Sequence, residues 1–341
     1  MARSPGPSPS MAEVAKLAAV SLQTVSRVLN TPELVSPETR TRVLAAIAKL
    51  GYRRNHAARA LATSHTELIG VIGTNLEYFG PASVAGAVEL AARVHGFATL
   101  AGTLHSTDTD EVAHLMTSFV DRGVEGIVVI APHDRAVAAA LSVAAAVPTV
   151  LVADGACPTA GCHVVSVDQQ LGARLAIEHL LGLGSGRIVC ISGPLDWFDA
   201  RSRLTGWRAA LAAAGMPEPE TIVGDWTARR GHEIGAMLAE DPPDAIVCGN
   251  DLTALGVLAA LHQKGIEVPR RVKVIGFDDI DGSEYFVPPL TTVRQPFVAL
   301  GRRSIEVLVE AIAGGPPRVD RIAPLLVRRG STMEQRTRFL T

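Results

Sequence analysis

The sequence predicts an all-α helix-turn-helix head followed by an α/β body of two Rossmann-like subdomains. Three observations predict it. Residues 10–53 read as three short, capped, amphipathic helices. From residue 66 onward, strand-like runs alternate with helical ones, the pattern of parallel sheets covered by helices. The chain is 341 residues long and 48% hydrophobic, too long for one compact domain and apolar enough for several cores. Aromatic residues are only 4%, so Ala, Val and Leu must do most of the packing.

Residues 1–9 are Pro, Ser and Gly with little else, an expected disordered leader. In the head, at 10–54, Ser10 and Glu13 form an S-x-x-E capping box before the apolar run Val14, Leu17, Ala18. Ser21 can cap a second helix running to about Asn30. Ser36-Pro37-Glu38 starts a third, with Ser as cap, Pro in the first turn and Glu near the positive end. Val43, Ala46, Ile47 and Leu50 form its apolar face, and Gly51 stops it. The first two helices, separated by Ala19-Val20-Ser21, have helix-turn-helix character. Val14, Ala18, Val20, Val25 and Leu29 would form their shared core. That leaves Leu22, Gln23, Ser26 and Arg27 on the outer face of the second helix. Arg and Gln are the residue types that read guanine and adenine edges in the major groove. Ser21, Thr24, Asn30 and Thr39 can hold phosphates, which fix register without carrying sequence information.

The charge distribution agrees. Residues 1–65 hold nine Lys/Arg against three Asp/Glu, a net of +6. The rest holds 23 against 31, a net of −8, so an anionic partner is expected for the head alone. Residues 55–65 form an Ala-rich linker. In the body, strands are predicted at 68–72, 98–101, 126–130, 149–152, 164–167, 188–191, 245–248 and 272–277. Helices at 82–94, 172–181 and 252–264 lie between them. Eight strands fit two similar subdomains better than one sheet.

Several classes are disfavoured. Cys157, Cys162, Cys190 and Cys248 form no CxxC pair and no zinc spacing, so no metal or cofactor is expected. The uncharged run 136–153 is split by Pro148 into a helix and a strand, which argues against a membrane span. The opening MARSPGPSPS lacks an apolar signal segment, so a cytoplasmic, nucleoid-associated protein with reduced thiols is expected. No G-x-S-x-G elbow, Walker loop or H-E-x-x-H is present. The Gly-rich stretch at 182–186 follows a helix and precedes a strand, the wrong order for a phosphate loop. An enzyme is therefore not expected.

The string V-A-x-x-A-x-V-S-x-x-T-V-S-R-V-L-N, at 14–30, is followed by V-S-x-x-T-R-x-R-V and L-G-Y-x-x-N. This head resembles the LacI family of bacterial transcriptional repressors, and the resemblance runs from about Ser10 to Arg329. It implies a sequence-specific repressor that binds a pseudo-palindromic operator as a homodimer, with 82–94 in the dimer interface. Two departures stand out. The turn position usually held by Gly is Ala19. Leu22, at the first recognition position, offers only apolar contact, for example to a thymine methyl. The linker matches the family's hinge helix, which implies that Asn55 and Leu61 enter the minor groove on DNA. Leu61 would wedge into a base step there and kink the duplex. A plain Ala-rich linker, with Leu61 packed on the core, is the other reading. An eight-residue helix is too short to persist alone in water, which suits a switch that forms on DNA.

The body resembles periplasmic sugar-binding proteins, two subdomains with a cleft between them. By that resemblance the chain crosses between subdomains near His163, Leu290 and Pro324. The subdomains are then 66–163 plus 291–323, and 164–290 plus 324–330, with a tail at 331–341. The resemblance implies an effector site for a small sugar, a galactoside-like glycoside being the first guess, from Thr74, Arg203, Trp226, Asn250, Asp278 and Phe297. A sugar site needs an aromatic plate and a few planar donors and acceptors. Arg203 is a forked donor, and Asn250 both donates and accepts. Asp278 ends a strand where open α/β sheets bind ligands, Trp226 would stack on the ring, and Phe297 would close the opposite wall. Each has an ordinary alternative: Trp226 as core, Arg203 paired with a structural acid, Asp278 or Asp279 capping a helix. The family has an acid at the end of the fourth body strand, where Ala153 stands here and Asp154 follows. A one-residue slip in a strand reverses side-chain direction, so Asp154 either reaches the site or turns from it. The other open reading is a regulator of the same family using a co-repressor or a protein co-regulator.

Overall fold

The computed structural model describes residues 9–53, 60, 65–104, 109–131, 133–144, 146–155 and 162–333. Most of the leader, the linker positions Asn55 and Leu61, Cys157 and the end of the tail lie outside these residues. Contacts divide the chain into two units, 1–66 and 67–341.

The head has three α-helices: α1 (Met11–Ala18), α2 (Leu22–Asn30) and α3 (Pro37–Leu50), with a 3₁₀ turn at Pro32–Leu34. Ser10 Oγ accepts from the Glu13 amide while the Glu13 carboxylate accepts from the Ser10 amide, completing the capping box. Ser21 and Ser36 cap α2 and α3 through the amides of Thr24 and Thr39. Gly51 ends α3 in the left-handed conformation. Ala19 ends α1 the same way, at φ 50° and ψ 52°. This geometry costs a residue with a Cβ about 1–2 kcal/mol, the reason glycine suits such a turn. Val14, Ala15, Ala18, Val25, Val28, Val43 and Ala46 are buried together, with Val20 and Leu29 half-buried against them.

The body contains two six-stranded sheets. The strands are β1 (Leu68–Thr74), β2 (Ala98–Leu104), β3 (Gly126–Ile130), β4 (Thr149–Val152), β5 (Cys162–Val167) and β6 (Ile188–Ser192). They continue as β7 (Glu220–Val223), β8 (Ala245–Cys248), β9 (Lys273–Asp278), β10 (Thr291–Arg294), β11 (Val319–Ile322) and β12 (Leu325–Val327). The first sheet runs β11-β5-β4-β3-β1-β2 and the second β12-β10-β9-β8-β6-β7. All pairs are parallel except β10 with β12. The helices are α4 (Phe79–Val94), α5 (Thr109–Asp121), α6 (Asp134–Val143) and α7 (Gln169–Gly182). They continue as α8 (Phe198–Ala213), α9 (Ala228–Leu238), α10 (Asp251–Gln263) and α11 (Phe297–Ile312).

Strand alternation sorts each sheet's side chains onto two buried faces. On β3, Ile127 and Val129 join a core with Met116 and Leu151. Val128 and Ile130 join another with Val88 and Leu308. The second sheet does the same around Trp207 and Phe277 on one face and Ile246 and Leu261 on the other.

Two of the predicted crossings are corrected. His163 lies within β5, which pairs with β4 and β11 inside the first sheet, so the first passage comes at residue 168. Leu290 precedes β10, which pairs with β9 in the second sheet, so the second passage comes at residues 295–296. A short apolar run shows that a strand forms but not which sheet takes it. The third passage, which includes Pro324, lies between β11 and β12. Among the described residues no helix is long and apolar enough to cross a membrane.

Candidate functional site

On the head, α2 presents Leu22, Gln23 and Arg27 to solvent, with Leu22 53% exposed. Gln23 and Arg27 stand four residues apart, hence on one helical face. Ser21 and Thr24 share a hydroxyl hydrogen bond of 2.9 Å beside the cap. Asn30 Nδ2 donates to Ser26 Oγ at 3.2 Å, and Thr39 Oγ1 accepts from Ser36 at 3.0 Å.

In the body, one cavity is lined from both sheets. Residues at or just beyond the carboxyl ends of the strands build most of the wall, the place where open α/β sheets present ligand sites. Tyr78 and Phe79 come after β1, Asp154 after β4, Trp197 and Asp199 after β6, and Trp226 after β7. Asn250 comes after β8, Asp278 ends β9, and Gln169 and Gln295 stand at the first two passages between the sheets.

Arg203, on α8, is 3% exposed and holds the floor together. Its Nε donates to Gln169 Oε1 at 2.9 Å and one terminal nitrogen donates to the Gly249 carbonyl. Its other terminal nitrogen lies 3.5 Å from Asp199 and 3.9 Å from Asp278. The guanidinium stacks 3.8 Å from the Phe277 ring centroid, and Trp226 is 5.5 Å away. Gln169 Nε2 donates to Gln295 Oε1 at 2.8 Å, and Gln295 Nε2 donates to Asp278 Oδ1 at 2.7 Å. The two crossing segments are thus tied to each other and to the arginine by one buried chain of hydrogen bonds.

Trp226 is buried with φ 70°, and its indole lies over Gly193 and Gly249, where a side chain would collide with it. It meets the Trp197 ring edge-to-face at 5.6 Å. Trp197 also meets Tyr78 at 5.2 Å and His133 at 4.9 Å. Asn250 caps α10, its Oδ1 accepting from the Thr253 amide and its Nδ2 donating to the Trp226 carbonyl. It therefore lines the cavity and caps a helix at once. Phe297 stands opposite, edge-to-face with Phe79 at 5.7 Å. Asp154 faces the cavity despite the one-residue offset, because the chain has left β4 at that point and the alternation of the strand no longer applies. Ser166 Oγ donates to it at 3.4 Å.

Thr74 is a correction. Its side chain is fully buried, its hydroxyl donates to the Ile130 carbonyl at 3.3 Å, and it does not line the cavity. As the last residue of β1 it still points into the sheet's packing, and Tyr78 and Phe79 take that wall instead. Trp197, Asp199, Gln169 and Gln295 were not singled out from sequence. Their signal was position, since each lies past the carboxyl end of a strand.

Burial pushes the Asp199 and Asp278 carboxyls up to about 6, against the downward pull of Arg203 on both. Asp278 also has φ 114° and Asp279 φ 58°, consecutive strained residues at the edge of the site. Behind them, Asp251 is fully buried and accepts from the Ile280 amide and the Thr292 hydroxyl. Burial, then the neighbouring Asp278, raises it to about 8. The folded chain thus binds this proton more tightly than the unfolded chain. The stability this group contributes is fully present below the ordinary carboxyl value and is lost as pH rises through about 8. Relative to Asp251→Asn, which does not titrate, the wild type should lose unfolding free energy between about pH 4 and pH 8. Urea unfolding across that range checks it, and a constant difference would show an ordinary carboxylate.

Comparison with known proteins adds to this geometry. Residues 10–55 match the bacterial regulatory proteins of the lacI family, and residues 177–332 match the periplasmic binding protein-like domain. The chain is 31% identical to the lactose operon repressor of Escherichia coli K12, over 95% of this chain and 91% of that one. It is 34% identical to the ribose operon repressor of the same strain, over 94% and 99%. A crystal structure of the lac repressor dimer bound to operator and the anti-inducer ONPF superposes with a TM-score of 0.84. That match has 30% identity and covers 96% of this chain and all of that one.

Proposed function

The chain belongs to the lacI family of bacterial regulatory proteins, DNA-binding transcriptional repressors with a ligand-binding core, and from that premise we propose that a small sugar bound in the body cavity controls its affinity for operator DNA. The observation that carries the reading is the convergence of Arg203, Asn250, Asp278 and Trp226 in one cavity. These residues offer an aromatic plate with donors and acceptors around it, what a sugar needs. A galactoside-like glycoside and ribose, the latter suggested by the ribose operon relative, are the first ligands to try.

In this reading Gln23 and Arg27 touch base edges, Leu22 makes apolar contact, and Ser21, Thr24, Asn30 and Thr39 hold phosphates. Asn55 and Leu61 enter the minor groove. The protein acts as a homodimer on a pseudo-palindromic site. In support, Leu90 and Val94 on α4 and Val298 on α11 are apolar and exposed at 51%, 79% and 73%.

The test is fluorescence anisotropy on a DNA site selected from a random pool, with and without sugar. A ligand that controls binding should change affinity by about 5- to 150-fold. A decrease marks an inducer and an increase a co-repressor. A sugar that binds the protein yet leaves DNA affinity unchanged would sink the reading. Arg27→Ala should weaken the selected site by about 1–3 kcal/mol and random DNA far less. Equal losses on both would reduce Arg27 to a phosphate contact.

A further inference from the structure

We infer that the cavity admits only ligands without negative charge, neutral polyols or amino sugars, and that Asp154 and Asp199 enforce this by accepting hydrogen bonds from the ligand. The inference rests on the sugar reading above and narrows its ligand class.

The charge census of the lining carries it. Three carboxyl groups, Asp154, Asp199 and Asp278, line the cavity, and Arg203 is the only Lys, Arg or His among the described residues that does. That guanidinium is already committed to Gln169, to the Gly249 carbonyl and to the flanking Asp199 and Asp278. It has little left with which to neutralise an incoming anion. Asp154 is 5% exposed, and its nearest cation, Arg321, lies 3.9 Å away with a side chain that is 53% exposed.

The hydrogen bonds of two carboxylates agree, although the lining residue Trp226 also keeps a buried donor, its indole N–H, without a partner among the described residues. Among the described residues, Asp154 is bonded through Oδ1 alone, and both bonds to Asp199 reach its Oδ2. Asp154 Oδ2 and Asp199 Oδ1 thus have no donor among the described residues and are open to a donor on the ligand. Hydroxyl and ammonium groups supply that donor. Phosphate and carboxylate groups bring further acceptors and like charge into an enclosed space, where repulsion is poorly screened.

The test is titration calorimetry on the full chain near neutral pH in physiological salt. The probes are galactose, glucose, ribose and cellobiose, then glucosamine and galactosamine, then glucose 6-phosphate, galactose 6-phosphate, ribose 5-phosphate and galacturonate. Binding is expected from neutral or amino members, with the anionic form of each binder at least about ten-fold weaker, a difference of about 1.4 kcal/mol. Asp199→Asn, of the same shape without the charge, should narrow that ratio. An anionic sugar binding as tightly as its neutral parent overturns the inference and leaves the sugar reading standing. An unchanged ratio in Asp199→Asn removes the role given to Asp199. No binding by any probe, from protein that melts cooperatively, removes the sugar reading and this inference together.

Discussion

Arg203→Ala is expected to destabilise the body by about 3–5 kcal/mol and to abolish ligand binding. The guanidinium is 3% exposed and is the shared donor for Gln169 and the Gly249 carbonyl, with Asp199 and Asp278 beside it. Its removal leaves the buried Asp278 and the half-buried Asp199 without their cation and a backbone carbonyl without its donor. Both acids would then take up protons more readily, so the loss should be smaller in acid than at neutral pH. Urea unfolding monitored by tryptophan fluorescence measures the change in stability. A loss under about 1 kcal/mol would mean that the network re-forms without the arginine.

Gly193→Ala should cost about 1–3 kcal/mol and weaken ligand binding with the fold retained. A Cβ at this position would overlap the six-membered ring of Trp226. The indole is rigid, and Gly249 blocks retreat along the same wall, its own Cβ position lying 2.9 Å from the ring. Trp226 must therefore tilt into the cavity, and the plate facing the ligand tilts with it. The readouts are the melting temperature and the affinity for whichever sugar binds the wild type. Unaltered values of both would show that the ring has room to slide.

Much of this was legible in the sequence because local chemistry decides it. The caps at Ser10, Ser21 and Ser36 and the stop at Gly51 act within one helical turn. Central strands such as β3, β4 and β8 are continuous apolar runs, as strands buried on both faces must be. The strands not foreseen are β7, β10, β11 and β12. β7, β11 and β12 lie at sheet edges, are only three or four residues long, and β11 carries Asp320 and Arg321. Charge on an edge strand hides it from an apolar pattern while guarding it against stray pairing. The crossings at His163 and Leu290 were misplaced for another reason: β5 was expected without its sheet being readable, and β10 was not expected at all. In the cavity, Arg203, Trp226, Asn250 and Asp278 were readable from motifs around them. Trp197 and Asp199 needed the rule that ligands sit beyond strand ends, applied strand by strand. Thr74 shows the limit of that rule, since the last residue of a strand can still belong to the core.

The order of the strands has a consequence for synthesis. The first sheet begins at Leu68 but is not complete until β11, at Val319–Ile322, pairs with β5. One of its faces is covered by α11, whose Leu300, Ile305 and Leu308 share a core with β3, β4 and β5. A nascent chain therefore makes the whole second sheet except β12 before its first sheet can close. Contacts so distant along the chain form slowly and leave apolar surface open meanwhile. Neither lobe is a module that a ribosome can finish and set aside. A chain cut just before Val319 would lack the final strand of both.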